Sequence, residues 1–354
     1  MNGARLSWPP ALAVLVVCAG LAGCDPGEGL FGVIGGDAPP RTTVVIDTDM
    51  TFDDALAILY LLQNEDVDLA AITVTGTGFA TLEAGVDNAL RLLALVGNTD
   101  VVVAAGAMNS RSSGMTQDDI PDTLRIRADA LLGVPLPEAE RSATSDPVEV
   151  VLRGVLDGAK GDVIVLTTGP MTNLANAIEI DPTIAERIAR LVTFGGAFQV
   201  PGNVIPDGST DTPVAEWNMY LDPVAAEEVF SAGIPTDLVP LDAARRAPLT
   251  RDFISRLAAR GDSSGASFAA AGLTVLLDEG AIDAGYDLSD PLAAALTTNP
   301  EISSYEVVPV RVVTVGDSIG RTLVDVTGDS LRVAGSVATP ALEDLLLDGL
   351  TPGN

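Results

Sequence analysis

Between residues 44 and 59 the chain reads VVIDTDMTFDDALAIL, which sets Asp47, Asp49, Asp53 and Asp54 within eight positions. Carboxylates packed this closely raise one another's pKa or demand a cation. The rest of the composition narrows which cation. The chain has no histidine, and its two cysteines, Cys18 and Cys24, both lie near the N-terminus. A Ser-His-Asp triad and His-ligated zinc are therefore excluded, as are disulfides, thiol nucleophiles and thiolate ligands beyond residue 24. Any catalysis rests on carboxylates, amides, hydroxyls, arginine, the sole lysine Lys160, or a hard metal. An all-oxygen site suits calcium or magnesium better than zinc. Asp53 or Asp54 alone would be explained by helix capping and the macrodipole; four aspartates together point to a site.

The flanking residues indicate how such a site is positioned. A β-branched run before the cluster and an apolar, helix-like run after it put Asp47 at a strand end, Asp49 in a loop, and Asp53 and Asp54 in a first helical turn. From residue 42 onward this alternation recurs. Strands are expected over 43–47, 70–75, 101–105, 163–168, 191–194 and 236–240, and helices over 54–63, 82–96, 148–156, 172–178 and 223–231. The pattern predicts an α/β fold with an open, mostly parallel, Rossmann-like sheet flanked by helices. Extra C-terminal strands are expected over 306–315, 321–327 and 330–333, with a closing helix over 340–347. In open α/β sheets ligands sit beyond the carboxyl ends of the strands. Asp47 and Asp49, Gly76 and Thr77, 167–173, and 195–203 all fall there.

With 354 residues, 47% of them hydrophobic but only 4% aromatic, the chain can bury a large core built mainly of Ala, Val and Leu. Its 49 acidic against 19 basic residues give a formal charge of -30, which repels phosphate backbones and disfavours nucleic acid as a partner. At the N-terminus, Arg5 precedes an apolar run over 11–22 that is short for a bilayer span and reads as a signal peptide. It ends in Leu21-Ala22-Gly23-Cys24, which resembles the bacterial lipobox. The resemblance implies a leader over 1–23, lipid on Cys24, a flexible tether over 24–42 and a folded domain over 43–351. The protein would then be exported and anchored to a membrane, facing the periplasm or the outside.

Two families share features of the opening motif. DTDMTF resembles the first motif of the haloacid dehalogenase-like phosphatases, with Asp47 as nucleophile, Asp49 as acid/base and Thr51 as the next motif position. Lys160, however, precedes the strand where that family places a Ser or Thr motif, and Gly316 to Ser318 lacks the closely following aspartate expected there. The longer pattern DTDxxxDDA continues through TTGPMTNLANAI from Thr167, FGGAFQVPGN from Phe194, AEWNMYLDPVAAEEVF from Ala215 and SDPLAAAL from Ser289. In that order these segments resemble the inosine-uridine preferring nucleoside hydrolase family over nearly everything from Thr43 to about Leu350.

That resemblance implies calcium-dependent hydrolysis of the N-glycosidic bond of a ribonucleoside to ribose and free base. It places a calcium ion on Asp49, Asp54, the Thr168 carbonyl and Asp290. Asp49 would be the general base for a water on the metal. Asp53, Asn203, Glu216, Asn218 and Asp290 would hold the ribose, and Asp47, Thr77, Trp217 and Ser289 would support the site. It is also compatible with a homodimer or homotetramer. Phe79, Trp217, Tyr220 and Tyr286 could stack on a base. Where the family carries Pro-Gly, glycine-asparagine and His-Asp-Pro, this chain has Met50-Thr51, Gly76-Thr77 and Ser289-Asp290-Pro291. The replaced histidine leaves a further reading, a surface ribose or nucleoside binder with weak or absent catalysis; the opening motif keeps the phosphatase as a more distant one.

Overall fold

A computed structural model describes residues 41–112, 120–204, 213–260 and 263–351. The leader, Cys24 and all but the last two residues of the expected tether lie outside these, as do residues 205–212 of the link between Asn203 and Glu216. Among the described residues no helix is long and apolar enough to cross a membrane.

Nine strands form one sheet among the described residues. They are β1 (Thr42–Thr48), β2 (Val67–Val74), β3 (Val102–Ala105), β4 (Val163–Thr167), β5 (Arg190–Phe194), β6 (Thr236–Val239), β7 (Ser303–Val312), β8 (Thr322–Val324) and β9 (Asp329–Val337). In spatial order they run β3-β2-β1-β4-β5-β6-β9-β7-β8. Strands β1 to β6 pair in parallel, β9 continues in parallel beside β6, and β7 runs antiparallel to both β8 and β9. The order reverses beside β1, where β2 departs to one side and β4 lies on the other. That crevice is where an open sheet accepts a ligand.

Helices α1 (Phe52–Gln63), α2 (Leu82–Leu95), α3 (Asp122–Asp129), α4 (Val148–Gly158), α5 (Thr172–Ile180), α6 (Thr183–Arg187) and α7 (Trp217–Leu221) occupy the first two thirds of the chain. They are followed by α8 (Pro223–Phe230), α9 (Leu241–Ala244), α10 (Arg251–Arg260), α11 (Ser264–Asp278), α12 (Ser289–Thr298) and α13 (Thr339–Leu350). The two-residue period of a strand explains how the layers form. Val44 and Ile46 of β1 enter one core with α1, α2 and α10 to α13, while Val45 between them enters the other with α4, α5 and α8. All three side chains are fully buried, each contributing about 1.5–3 kcal/mol.

Several expected boundaries shift. β1 begins at Thr42, inside the expected tether, because its amide donates to Asp66 O at the foot of β2. α1 begins at Phe52 rather than Asp54, because Thr51 serves as the N-cap and Asp54 reaches back to its amide. The C-terminal segment is β7 over Ser303–Val312, a three-residue β8 and a nine-residue β9. β9 inserts between β6 and β7, a pairing set by contacts distant in sequence.

Candidate active site

The chain leaves β1 through Asp49 and Met50 before α1 starts. Met50 has φ 56, in the left-handed region that favours glycine, which costs an L-residue about 1–2 kcal/mol. Its side chain is fully buried, and its amide donates to Thr48 Oγ1 at 3.0 Å, so packing and a local hydrogen bond hold the turn without glycine. This is how Met50-Thr51 serves where the resemblance expects Pro-Gly. Space around Asp49 is created by glycines instead. A Cβ on Gly78 would fall 2.2 Å from Asp49 Cβ, and one on Gly169 would fall 2.9 Å from it.

Each acidic residue of the first loop has distinct partners. Asp47 is buried and points away from the cleft. Its Oδ1 accepts from Thr73 Oγ1 at 2.6 Å and Asn173 Nδ2 at 2.7 Å, while Oδ2 is buried without a partner. Burial pushes its pKa up to about 7, against the pull of those two donors. Asp49 Oδ2 accepts the Phe79 amide at 2.9 Å. Burial, then the neighbouring Asp54 charge, hold Asp49 well above the usual carboxylate range. Asp53 Oδ1 accepts Thr51 Oγ1 at 2.6 Å, and burial followed by Asp54 raises its pKa to about 6. Asp54 accepts Thr48 Oγ1 at 2.6 Å on Oδ1, with the Thr51 amide at 2.8 Å and hydroxyl at 2.7 Å on Oδ2.

Asp290 enters from the start of α12, far along the chain. Carboxylate oxygens of Asp53, Asp54 and Asp290 lie within 4.8 Å of one another. Asp290 Oδ1 is buried without a hydrogen-bond partner, and burial plus the facing Asp53 and Asp54 hold its pKa well above normal. Asp49 stands outside this trio, beside Asp54. The Thr168 carbonyl lines the same cleft and accepts Asn218 Nδ2 at 2.9 Å.

The opposite wall is built by the N-terminus of α7. Glu216 caps that helix, accepting the Asn218 amide at 2.9 Å on Oε1, and the Met219 and Gly196 amides at 3.2 and 3.1 Å on Oε2. Burial nevertheless raises its pKa to about 7. Asn218 spends its amide donors on the carbonyls of Thr168 and Phe194, at the ends of β4 and β5. Asn203 Oδ1 accepts the Trp217 amide at 3.0 Å.

These walls enclose a cavity of about 830 Å³, lined by Asp49, Asp53, Thr168, Asn203, Glu216, Trp217, Asn218, Ser289 and Asp290 among others. Phe79 and Tyr286 line it too, and Phe79 meets Trp217 edge-on at 5.4 Å. Tyr220 lies behind Trp217, at 5.8 Å. Thr77 does not line the cavity. Its hydroxyl joins Thr75 at 2.7 Å and Thr172 at 2.9 Å, and Thr172 donates to the buried Asp222 at 2.7 Å.

Sequence reading assigned no role to Asn173, which donates to Asp47, although it sits within the quoted Thr167 segment. It also missed Asp242 and Arg245 around α9. Asp242 accepts the amides of Phe198 and Gln199, and Arg245 Nη2 donates to Pro201 O, so together they hold the loop that ends in Asn203. Asp287, half-buried on the cavity lining, was missed as well. No local spacing signals these residues, because each acts on a segment remote in sequence.

The profile of the inosine-uridine preferring nucleoside hydrolase family matches residues 44–344. The chain is 34% identical to the pyrimidine-specific ribonucleoside hydrolase RihA of Escherichia coli O8 (strain IAI1), over 87% of this chain and 97% of that protein. It is 29% identical to uridine nucleosidase 1 of Arabidopsis thaliana, over 86% and 87% of the two chains. Its fold superposes on a plant nucleoside hydrolase with a TM-score of 0.78 at 29% identity, covering 89% of this chain and all of the other. A purine-preferring ribonucleoside hydrolase from Gardnerella vaginalis gives a TM-score of 0.76 at 27% identity, covering 88% and 98%. This chain therefore belongs to the inosine-uridine preferring nucleoside hydrolase family, enzymes that hydrolyse ribonucleosides.

Proposed function

We propose that the protein hydrolyses the N-glycosidic bond of ribonucleosides in a calcium-dependent reaction with Asp49 as general base. The observation that carries this reading is the convergence of Asp53, Asp54 and Asp290 in one cleft, with Asp290 Oδ1 buried and unpartnered. An all-oxygen donor set with an orphaned carboxylate oxygen suits a hard divalent cation. Asp49, Asp54, Asp290 and the Thr168 carbonyl are the proposed ligands, and Asp53 adds a fourth carboxylate beside them. Calcium bound there offsets the clustered negative charge and acidifies a neighbouring water.

The chain's own groups then divide the work. Asp49, held in place by the Phe79 amide that donates to its Oδ2, takes the proton of the attacking water. Asp53 and Asp290 orient the ribose hydroxyls, and Asn203, Glu216 and Asn218 grip the sugar from the opposite wall. The surrounding carboxylates stabilise positive charge developing on an oxocarbenium-like sugar. The relatives' names include both pyrimidine-specific and purine-preferring enzymes, so the favoured base is a matter for a substrate panel.

Ribose release from purine and pyrimidine nucleosides, with and without chelator, tests this directly. Release that survives chelation sinks the metal mechanism, while saturable binding without release favours a binder. We also propose that Cys24 carries lipid and tethers the enzyme at the outer face of a bacterial membrane, where it salvages bases from external nucleosides. Lipid labelling lost in Cys24→Ala supports this; labelling unchanged in that variant rejects it.

A further inference from the structure

Breaking an N-glycosidic bond requires the base to depart as a stable species, which at neutral pH means delivering a proton to it. The carboxyls on the sugar side of the cleft are already committed to other partners. Asp49 accepts from the Phe79 amide, Asp53 from Thr51, and Glu216 from three backbone amides, while Asp290 belongs to the acidic trio. Ser289, where the resemblance expects histidine, is a hydroxyl and too weak an acid.

The rest of the cavity lining differs. Arg127 there is ion-paired to Glu279 at 2.6 Å, and Arg245 donates to Pro201 O at 2.8 Å. Tyr286 is held well above the ordinary phenol pKa, by burial and then by Asp53. Asp287 is the remaining carboxyl on the lining, and among the described residues its side chain makes no hydrogen bond or ion pair. Its backbone, by contrast, is fixed. The Leu249 amide donates to Tyr286 O at 2.9 Å and the Leu288 amide to Ala247 O at 2.8 Å, so Asp287 sits opposite Pro248 in a short antiparallel bridge.

We propose that Asp287 is the acid that protonates the departing base, a role that rests on the nucleoside hydrolase reading of the site. The bond between C1′ and the base nitrogen breaks with its electron pair going to the base. The carboxyl proton of Asp287 passes to a ring nitrogen or exocyclic oxygen of that base. The water oxygen bonds to C1′ and gives a proton to Asp49. One proton is delivered and one is taken, so the two carboxylates exchange states and reset through solvent. Burial raises Asp287 to about 6, and the nearby Arg245 guanidinium limits the rise. Tyr286 beside it and Arg127 of α3, which is paired to Glu279 at the end of α11, belong to the same lining. A carboxyl in that range holds a proton part of the time near neutrality and gives it up readily.

The test compares wild type with Asp287→Asn and Asp287→Ala, each calcium-loaded, on natural nucleosides and on p-nitrophenyl riboside, whose leaving group needs no proton. Expected are losses of about 10²–10⁴-fold in kcat on nucleosides with little change in KM, and losses below about tenfold on p-nitrophenyl riboside. The alkaline fall of the wild-type nucleoside profile, governed by a group near 6, should vanish in Asp287→Asn. Unchanged nucleoside turnover overturns the proposal. So does an equal loss on both substrates, or a loss confined to KM, because either assigns Asp287 to structure or binding. Wild type that cleaves neither substrate instead defeats the hydrolase reading itself.

Discussion

Asn173 donates from its side-chain amide to Asp47 Oδ1 at 2.7 Å, so the second residue of α5 holds the carboxylate at the end of β1. With Thr73 as the second donor, Asp47 is locked in the sheet and turned from the cleft. Asp47→Asn should therefore keep nucleoside turnover within about tenfold of wild type, since an amide oxygen accepts both bonds and loses a buried charge. Asn173→Asp sets two carboxylates together and should cost about 1–3 kcal/mol in urea unfolding. A phosphatase activity that Asp47→Asn abolishes would instead return Asp47 to the nucleophile role that the phosphatase motif suggests.

Asp290 sets function against stability. Its Oδ1 is buried and unpartnered, and the facing carboxylates repel it. Asp290→Asn should raise the melting temperature of metal-free protein while abolishing the stabilisation that calcium gives the wild type. If calcium binds as proposed, that stabilisation would amount to about 2.7 kcal/mol at a hundredfold excess over Kd. Thermal melts with a calcium titration decide it; a variant still stabilised by calcium excludes Asp290 as a ligand.

The pH dependence of metal-free stability has a definite sign. Glu216 and Asp47 are raised from 4.5 and 3.8 to about 7 in the folded state, chiefly by burial. Between those limits the unfolded chain binds fewer protons than the folded one, so stability falls as pH rises from about 4 to about 7 and then levels off. Denaturant titrations in chelator should show that decline. Glu216→Gln should flatten it, and should lower kcat, because a Gln amide would turn a donor toward backbone amides that themselves donate.

Close packing around Asp49 gives a purely steric test. Gly78→Ala places a Cβ 2.2 Å from Asp49 Cβ and Oδ2, so Asp49 must move. A misplaced general base should cost on the order of 10²-fold in kcat, with a smaller effect on global unfolding. Wild-type kcat in this variant would argue against Asp49 as the base.

The central strands and first helices were legible because their signals are local. The β-branched run over 43–47 and the apolar period after Phe52 required nothing from elsewhere, and they placed Asp53 and Asp54 in the first turn of α1 as expected. The C-terminal strands were legible as strands but not as neighbours, since the position of β9 between β6 and β7 depends on pairing across the chain. Helices such as α12 escaped notice, being buried along nearly their whole length, with no exposed polar face to betray them.

By itself, the sequence determined the chemistry available: no histidine, no cysteine past residue 24, an excess of carboxylates, and hence oxygen ligands and carboxyl acids and bases. It also ordered the motifs that mark the family. Only the tertiary structure decided which of those groups meet. It gathered Asp53 and Asp54 with Asp290, turned Asp47 inward onto Asn173, kept Thr77 off the cavity, and set Asp287 on its lining. The physical reason is that strand and helix propensities act over a few residues. Burial, charge repulsion and proton affinity depend on neighbours that only folding supplies.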